Sequence, residues 1–495
     1  MPLDRATVAA ALRALDLGAI AGERWYASKG EPPLSARLAH AFALGDDAAL
    51  ALVDLQVGDR LERYSLPFAV RGGEVRPAEP GDGAWRGLAA AIAEARTIPA
   101  LVRNADGTRV TGVATHDAVE AALVCRPSPG FEEAWGEHAL GAAAVGAAHE
   151  EPLGRDQTNT SVVLDGRLVL KAYRRVQPGL NPDLELTAFL SEEAAFTGVP
   201  RLAGWAEVVT RDGGAATVAM LQAYVGDAED VYEETAERLA GLVAAPGAVT
   251  VEWATDIAED LGTLVAGLHA ALASPSADTP DFVVRPATRE ELHAWRIDAQ
   301  RQLNRAVASV TAVDAAAGAE LRREAAAIAA RFSRFEALAT APVVTRIHAD
   351  LHLGQVLVAD DGYRVIDFEG EPLRPIDERR RPDSPLRDVA SMLRSLDHVA
   401  RSAGRRAERR RGGPIERPGL DIDAWIGRAR QRFLAAYTAG IRASGAPIVV
   451  DLDLLDAFEV AKECYEFTYA ATVLPTWLWA PQSGMRWLLA RGQQG

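Results

Sequence analysis

At 495 residues, the chain is longer than a single hydrophobic core usually supports, so we expect two or three domains. Its formal net charge of −16 argues against a nucleic acid as the main partner and favours a protein that handles small molecules. Cys125 and Cys464 are too few and too far apart for a disulfide framework or a zinc site. Neither a secretory signal nor an apolar run of about 18 residues is visible, so we expect a cytoplasmic protein without a membrane partner.

The first segment, residues 1–94, predicts a small α+β domain. Apolar periodicity predicts a helix over residues 7–17, and alternating or apolar runs over 49–56 and 62–70 predict antiparallel strands. The helix and the strands are separated by RWYASKG, residues 24–30. We expect a domain that regulates or covers an active site, or one that only packs these aromatic residues.

Residues 95–224 predict a β-rich domain. A strand lysine, Lys171, is followed by Glu185 on a helix that begins near Asn181, and such a pair positions lysine on nucleotide phosphates. Lys171 is one of three lysines among 53 basic residues, the others being Lys29 and Lys462. Lysine is therefore expected where a compact point charge matters, unless the three survive only by chance in an arginine-rich chain.

Residues 225–495 predict a mostly helical domain, with long helical patterns over 255–272 and 299–338. His269, on the first of these helices, is expected to be structural. A helix is predicted from residue 384 to about residue 401, with Asp388 near its start. Asp388 either bonds backbone amides of a preceding loop or only complements the helix dipole. The basic stretch 401–418 predicts a mobile, solvated loop, with a docking patch for an acidic partner as the alternative.

The strongest functional signal is TRIHADLHLGQVLVADDGYRVIDFEGEP, residues 345–372. Two apolar runs, 355–358 and 363–366, flank a turn and predict a hairpin that brings Asp350, Gln355 and Asp367 to one end. Phosphoryl transfer from Mg-ATP needs such a group, because one carboxylate orients the acceptor hydroxyl while the other oxygen ligands hold magnesium. The alternative is an ordinary hairpin with solvated acidic turns.

The segment 454–481 predicts a helix that ends before Pro475 and is followed by Trp477 and Trp479. Acidic residues, one lysine and a tyrosine share one side of this helix: Glu459, Lys462, Glu463, Glu466 and Tyr469. Such a surface suits sugar hydroxyls and apolar ring faces. An aromatic core stripe is the alternative interpretation.

HADLHLGQVL followed by IDFEGEP resembles the actinobacterial maltokinase-like family, which includes maltokinases and glucosamine kinases. The order His-x-Asp, an amide five residues after the aspartate and a later Asp-Phe also resembles aminoglycoside and sugar phosphotransferases. The resemblance implies an α+β, bilobal protein-kinase-like fold. Its parts would be an N-terminal α+β cap domain (1–94), a nucleotide-binding N-lobe (95–224) and a mostly α-helical C-lobe (225–495).

The resemblance also implies roles for individual residues. Asp350 would be catalytic, and Gln355 and Asp367 would bind Mg²⁺. No GxGxxG motif precedes Lys171, so the segment 157–161 would have to hold the phosphates of ATP, and a hinge near residues 222–225 would bind adenine. The predicted nucleotide-binding residues are Lys171, Glu185, Gln157, Asn159, Ser161, Gln222 and Tyr224.

The sugar-binding element of maltokinases resembles K-x-x-Y-E-x-x-Y followed by E-A-R-N-R-P. Lys462, Tyr465, Glu466 and Tyr469 match its first part, whereas AATVL replaces the charged continuation. The predicted substrate-binding residues are Asp350, His352, Glu371, Lys462, Tyr465, Glu466, Tyr469 and Trp477.

Together these patterns predict an ATP-dependent sugar kinase. Four acidic residues are expected around the pocket, and the arginine-containing continuation of the maltokinase element is absent. Such a pocket favours a cationic acceptor such as glucosamine. The four residues are Glu371, Glu459, Glu463 and Glu466. The family's chemistry implies glucosamine 6-phosphate as the product. The alternatives are a maltokinase, an aminoglycoside-type phosphotransferase and a catalytically silent kinase-like binding protein.

Overall fold

The computed structural model describes residues 3–101, 121–136, 142–154, 159–226, 228–274, 282–370 and 375–491. It divides into two compact units, Met1–Asp227 with Glu371–Arg379, and Ala228–Gly370 with Arg380–Gly495. Among the helices of these described ranges, none combines the length and the apolar character that a membrane span requires. The division of residues 1–224 into a cap and an N-lobe remains a prediction.

The first unit opens with two short helices and an antiparallel sheet. The helices are α1 (Arg5–Arg13) and α2 (Leu17–Gly22), and the strands, in spatial order, are β1 (Ser35–Ala43), β2 (Ala48–Val57), β3 (Arg60–Arg71) and β4 (Glu74–Pro77). The two predicted strands are confirmed. The predicted helix begins earlier than expected, because Asp4 caps α1, and it ends earlier, at Arg13, because Asp16 caps a separate helix, α2.

A second, seven-stranded sheet has the order β5-β6-β10-β11-β9-β8-β7. Its strands are β5 (Thr97–Pro99), β6 (Ala121–Pro127), β7 (Glu150–Pro152), β8 (Thr160–Leu164), β9 (Leu168–Ala172), β10 (Leu202–Thr210) and β11 (Ala215–Ala223). The predicted strand that carries Lys171 is β9, which forms a hairpin with β8, and Asp165 and Gly166 supply the two positive φ angles, +49° and +61°, that the tight turn needs.

Three more helices of this unit are α3 (Ala84–Ala93), α4 (Phe131–Trp135) and α5 (Ala142–Gly146). Trp85 and Ile92 of α3 share one buried cluster with Phe42 of the first sheet and Leu170 of the second, so the two sheets have a common core. The predicted helix after β9 is α6 (Pro182–Ala188), which continues as a π-helical turn over Phe189–Glu193. It begins after Asn181, as predicted, because the side chain of Asn181 caps it by accepting the N–H of Asp183.

The second unit is mostly helical, as predicted. Its helices are α7 (Val231–Val243), α8 (Val251–Ala254), α9 (Asp256–Leu272), α10 (Arg289–Val313), α11 (Ala315–Phe332), α13 (Leu386–Arg411), α14 (Ile422–Ser444), α15 (Leu452–Val473) and α16 (Trp479–Arg491). The short helix α12 (Ile376–Arg379) belongs to the first unit. Two short antiparallel pairs complete it: β12 (Arg285–Pro286) with β13 (Val343–Val344), and β14 (Val356–Ala359) with β15 (Gly362–Val365). Pro475 follows the end of α15, as the sequence predicts.

The prediction of a mobile loop over residues 401–418 is wrong for its first half. Helix α13 continues through Arg411 and ends at Gly412, whose φ of +81° suits a glycine C-cap. Arg406 bonds Glu233 at 2.9 Å, and Arg410 bonds Glu237 at 2.8 Å, both on α7. These acids on a neighbouring helix offset the clustered positive charge, so the basic segment is helical and packed.

A close helix contact provides a stability test. A Cβ atom added at Gly262 of α9 would collide with the carbonyl oxygen of Phe433 on α14, whereas nothing lies within 4 Å of one added at Gly241 of α7. Gly262→Ala should therefore lower the free energy of unfolding by about 1–3 kcal/mol, as overpacking does. Gly241→Ala should leave it unchanged or raise it by up to about 1 kcal/mol. Chemical denaturation of both variants checks this, and equal effects would contradict the assigned packing.

Candidate active site

One carboxylate shapes the loop that carries Asp350. Asp388, in the first turn of α13, accepts the backbone N–H of His348 at 2.8 Å and that of Ala349 at 3.0 Å. Asp388 is almost fully buried, and Ala349 has a φ of +70°, which an L-residue adopts only when its surroundings hold it there. The prediction that Asp388 bonds backbone amides of this loop is confirmed.

His269 supports Asp388 from behind. Its Nε2 lies 3.3 Å from Asp388 Oδ2, and its Nδ1 lies 2.8 Å from the hydroxyl of Tyr437. Burial raises the pKa of Tyr437, so the hydroxyl keeps its proton. His269 is fully buried, and the expectation of a structural histidine is confirmed.

His348 joins the loop to the hairpin β14–β15. Its Nε2 donates to the carbonyl oxygen of Ile366 at 3.0 Å, and its Nδ1 faces the backbone N–H of Asp350 at 3.4 Å. The neutral imidazole protonated on Nε2 satisfies both contacts. The histidine of the His-x-Asp motif therefore fixes the position of Asp350 relative to the hairpin.

Gln355 and Asp367 meet at the open end of that hairpin, as predicted. Val356 pairs with Val365, and the side chain of Gln355 donates from Nε2 to Asp367 Oδ2 at 3.1 Å. Asp367 has a φ of +67°, a strained conformation that is often found at functional sites. A carboxylate oxygen of Glu369 lies within 4.8 Å of one of Asp367.

These oxygen atoms fit a hard divalent cation. The contact through Nε2 leaves the amide oxygen of Gln355 as its ligand atom, and carboxylate and amide oxygens are ligands that Mg²⁺ accepts. Glu369 was not among the predicted metal ligands, although it lies within the IDFEGEP motif. The donor set of Gln355, Asp367 and Glu369 is suited to magnesium.

A cavity of about 540 Å³ opens beside Asp350 in the second unit. Seven of the eight predicted substrate-binding residues line it: Asp350, His352, Lys462, Tyr465, Glu466, Tyr469 and Trp477. The eighth, Glu371, lies outside the described residues. Residues that are far apart in the sequence thus meet around one space large enough for a small ligand.

Lys462 lies between two of the carboxylates in the cavity. Its Nζ is 3.2 Å from Glu466 and 3.6 Å from Asp350, and it lies over the ring of Tyr465 at 4.5 Å. Burial opposes its charge, but Glu466 and Asp350 outweigh burial and raise the pKa of Lys462. Lys462 therefore stays protonated and holds Asp350 in place electrostatically.

Glu459 and Glu463 do not line the cavity, contrary to the prediction. Both are fully buried on α15. Glu459 bonds Arg394 at 3.1 Å and also Arg430. Glu463 bonds the Nε2 of His398 at 3.0 Å. Buried carboxylates need such partners, and these were not visible in the helical spacing of α15 alone.

Several cavity residues were missed by the sequence reasoning: Asp230, Tyr232, Glu233, Ser391, Ser395 and His398. Ser391, Ser395 and His398 recur at helical spacing on the buried part of α13, and this polar stripe is the signal that could have identified them. Burial opposes the charge of His398, but Glu463 raises its pKa above the usual value. Because Glu463 balances it, the pair adds no net charge to the cavity wall.

The predicted nucleotide-binding residues lie in the first unit. Lys171 on β9 is buried, and its Nζ bonds Asp183 Oδ2 at 2.7 Å. Asp183 also accepts the hydroxyl of Tyr173 at 3.0 Å and was not anticipated as a partner of the lysine. Glu185, the predicted partner, is buried on the same helix, α6, and its pairing with Lys171 stays a prediction.

The other nucleotide-binding predictions concern positions near β9. Ser161 pairs with Lys171 in the β8–β9 ladder, and Asn159 precedes β8. Gln222 lies on β11, which pairs with β9, and Tyr224 follows it. Gln157 is outside the described residues. Four of the positions therefore lie on or beside the strands around Lys171, as a nucleotide site requires.

Comparisons with known proteins agree with this architecture. Residues 149–425 match the model of the phosphotransferase enzyme family, and residues 20–117 match the maltokinase N-terminal cap domain. A glucosamine kinase of Streptacidiphilus jiangxiensis is 31% identical over 433 residues, 86% of each chain. A glucosamine kinase of Mycolicibacterium smegmatis is 31% identical over 392 residues, covering 79% of this chain and 92% of the relative.

Solved structures of glucosamine kinase are also similar. Crystal form B gives a TM-score of 0.72 at 27% identity and covers 97% of this chain and 99% of its own. A complex with glucosamine, ADP and inorganic phosphate gives a TM-score of 0.68 at 27% identity and covers 98% of this chain and 99% of its own. The similarity therefore extends over nearly the whole chain.

The metal assignment predicts unequal effects of two substitutions. Asp367→Ala removes a charged oxygen ligand, whereas Gln355→Ala removes a neutral one, so the first should impair magnesium-dependent turnover more than the second. Titrating Mg²⁺ against initial rates with each variant checks this. Normal activity and an unchanged magnesium dependence in the Asp367 variant would contradict its role as a ligand.

Proposed function

The chain belongs to the phosphotransferase enzyme family, and we propose on this premise that it is a glucosamine kinase. It would transfer the γ-phosphoryl group of ATP to the primary hydroxyl of glucosamine and yield glucosamine 6-phosphate. The observation that carries the choice of acceptor is the charge of the cavity beside Asp350. Relatives named glucosamine kinase, one of them solved with glucosamine, ADP and phosphate, support the same choice.

The cavity wall has more carboxylates than cations. Its acidic residues are Asp230, Glu233, Asp350 and Glu466, and Lys462 is its only lysine or arginine within the described part of the chain. Glu233 also bonds Arg406, but an excess of negative charge remains. A carboxylate gains a charge-assisted hydrogen bond from an ammonium group that a neutral hydroxyl cannot match. The aminosugar is therefore favoured over its neutral counterparts, although Glu459 and Glu463 do not take part.

Asp350 would act on the acceptor hydroxyl. Its carboxylate lines the cavity and is partly exposed, so a sugar hydroxyl can reach it. Asp350 would orient this hydroxyl and accept its proton as the oxygen attacks the γ-phosphorus and ADP leaves. The ammonium group of Lys462 and the backbone contact to His348 keep the carboxylate in this orientation.

The phosphate side of the reaction would use a second group of the chain's residues. Gln355, Asp367 and Glu369 would hold magnesium, which offsets the negative charge of the phosphates when it is bound. Lys171 would bind phosphate oxygens, and its contact with Asp183 keeps the ammonium group in a fixed position. Since ATP is a cytoplasmic metabolite, we also propose a cytoplasmic location.

A maltokinase is the second candidate, and one observation favours it. The set Lys462, Tyr465, Glu466 and Tyr469 matches the maltokinase pattern and lines one cavity. The segment AATVL replaces the arginine-containing continuation, however, and it forms the end of α15 without supplying a cation. The retained Lys171, Asp350, Gln355 and Asp367 argue against a catalytically silent protein.

The role of Asp350 has a direct test. Asp350→Asn should leave nucleotide affinity within a few-fold but lower turnover by about 100-fold or more, because the amide cannot accept the proton. Asp360→Asn, in the exposed turn of the β14–β15 hairpin, is a matched control that should retain activity. Near wild-type turnover of the Asp350 variant would remove it from the catalytic role.

The choice of acceptor is tested by comparing four sugars. We expect kcat/KM to be highest for glucosamine and lower by about 10-fold to 100-fold for glucose, which lacks the ammonium group. N-acetylglucosamine, whose amine is neutralised, should be as poor as glucose, and maltose poorer still. ADP release with each sugar gives the measurement. Comparable efficiency with the acetylated sugar, or a preference for maltose, would contradict the proposal.

A further inference from the structure

The segment that follows the strand carrying Lys171 is hydrogen-bonded to the first sheet. After β9 ends at Ala172, the backbone carbonyl of Arg174 accepts the N–H of Ser65 on β3 at 2.7 Å. Two residues later, the N–H of Val176 donates to the carbonyl of Arg63, also on β3, at 2.9 Å. Main-chain hydrogen bonds thus join the N-terminal four-stranded sheet to the segment that begins three residues after Lys171.

The side chain of Arg174 lies at the same junction. Its Nε donates to the hydroxyl of Thr160 at 2.7 Å, and its Nη1 donates to the carbonyl of Ser65 at 3.3 Å. The guanidinium lies over the rings of Trp25 and Trp85, 5.6 Å and 5.4 Å from their centroids. An arginine fork can donate hydrogen bonds and stack on aromatic rings at once, which a lysine cannot.

Arg174 remains charged despite its burial. Burial lowers its pKa to about 10, which is still well above neutral pH. A buried charge with a few fixed partners holds its geometry, because breaking one of these contacts would leave a desolvated donor without compensation. The contacts of this side chain therefore form a rigid connection between Trp25, Trp85 and Ser65 on one side and Thr160 on the other.

The connection ends at the segment expected to hold phosphate. Asn159 accepts the backbone N–H of Arg174 at 3.4 Å, and Thr160 pairs with Ala172 in the β8–β9 ladder. Asn159 and Ser161 flank Thr160 and belong to the predicted phosphate-binding residues. The β8–β9 ladder sets the backbone from Thr160 onward, and the contacts of Arg174 hold the side chains of Asn159 and Thr160 at the start of the strand.

We propose that Arg174 is a positioning residue for nucleotide binding, through which the aromatic residues of the N-terminal domain hold segment 159–161 beside Lys171. The N-terminal domain then contributes to ATP affinity without touching ATP. This inference rests on the proposed function, since it presumes that the segment binds phosphate. It assigns Arg174 no part in sugar binding, because its described contacts are all within the first unit.

The test uses three variants of the full-length protein. Arg174→Met keeps the aliphatic length but removes the fork, and Thr160→Val removes only the hydroxyl that accepts from Nε. Arg37→Met is the matched control: Arg37 lies on β1 of the first sheet, bonds Asp54 at 2.7 Å and is mostly exposed. Thermal unfolding establishes that each variant is folded. Calorimetry with Mg-ADP, without sugar, gives the dissociation constant, and steady-state assays give KM and kcat.

We expect Arg174→Met to raise the dissociation constant of Mg-ADP and the KM for ATP by about tenfold or more, the effect of losing a charged hydrogen bond. Thr160→Val should raise both several-fold, and Arg37→Met should change neither. The KM for glucosamine and kcat should stay within about twofold of wild type in all three, since the transition-state contacts at Asp350 are retained.

Other results would overturn the inference. A folded Arg174→Met protein with wild-type nucleotide affinity would do so, as would a fall in kcat with unchanged KM for ATP, which indicates only a loss of active protein. If Arg174→Met does not fold, unchanged affinity in folded Thr160→Val overturns it. Absence of turnover with glucosamine would reject the proposed acceptor alone, because the binding measurement requires no sugar. Absence of nucleotide binding by the wild type would reject both.

Discussion

The loop that carries Asp350 depends on the buried carboxylate of Asp388. This carboxylate accepts two successive backbone N–H groups, from His348 and Ala349, and a buried amide that loses its acceptor costs about 1–3 kcal/mol. The positive φ of Ala349 persists only because these bonds hold the loop, and it places Asp350 directly after the turn. The position of the proposed proton acceptor is therefore determined by a residue 38 positions later in the sequence, on another element.

A second constraint lies beneath the cavity. Arg394 and Arg430 bond Glu459, while His398 bonds Glu463, and all of these contacts are buried or largely buried. Removing one member of such a network typically costs about 3–5 kcal/mol, because the remaining charge loses its partner in a medium of low polarity. The network positions α15 against α13, and the ring of Trp477 rests edge-on against His398 at 4.9 Å. The network supports the cavity wall, but its own carboxylates, Glu459 and Glu463, do not line the cavity.

The features that the sequence predicted best are those formed by residues close to one another in the chain. The hairpin that joins Gln355 to Asp367 follows from two apolar runs and a turn, and the helical spacing of Lys462, Tyr465, Glu466 and Tyr469 places them on one face. Long-range partners were not predictable. Glu459 and Glu463 have the same spacing as the cavity residues, and only their arginine and histidine partners show that they face the interior. The arginine-rich segment after residue 401 was interpreted as a loop because the acidic residues that offset its charge lie on another helix, α7, far away in the sequence.

Helix α13 contacts the loop that carries Asp350 and also lines the cavity. Its first turn holds the loop through Asp388, and one turn later Ser391 faces the cavity. The next turn supplies Ser395, which lines the cavity and accepts the backbone N–H of Leu353 at 3.1 Å, just after His352. One polar stripe on this helix thus fixes both ends of the segment that contains Asp350. Because the same stripe forms a wall of the cavity, the position of the carboxylate of Asp350 and the shape of the proposed acceptor site cannot change independently.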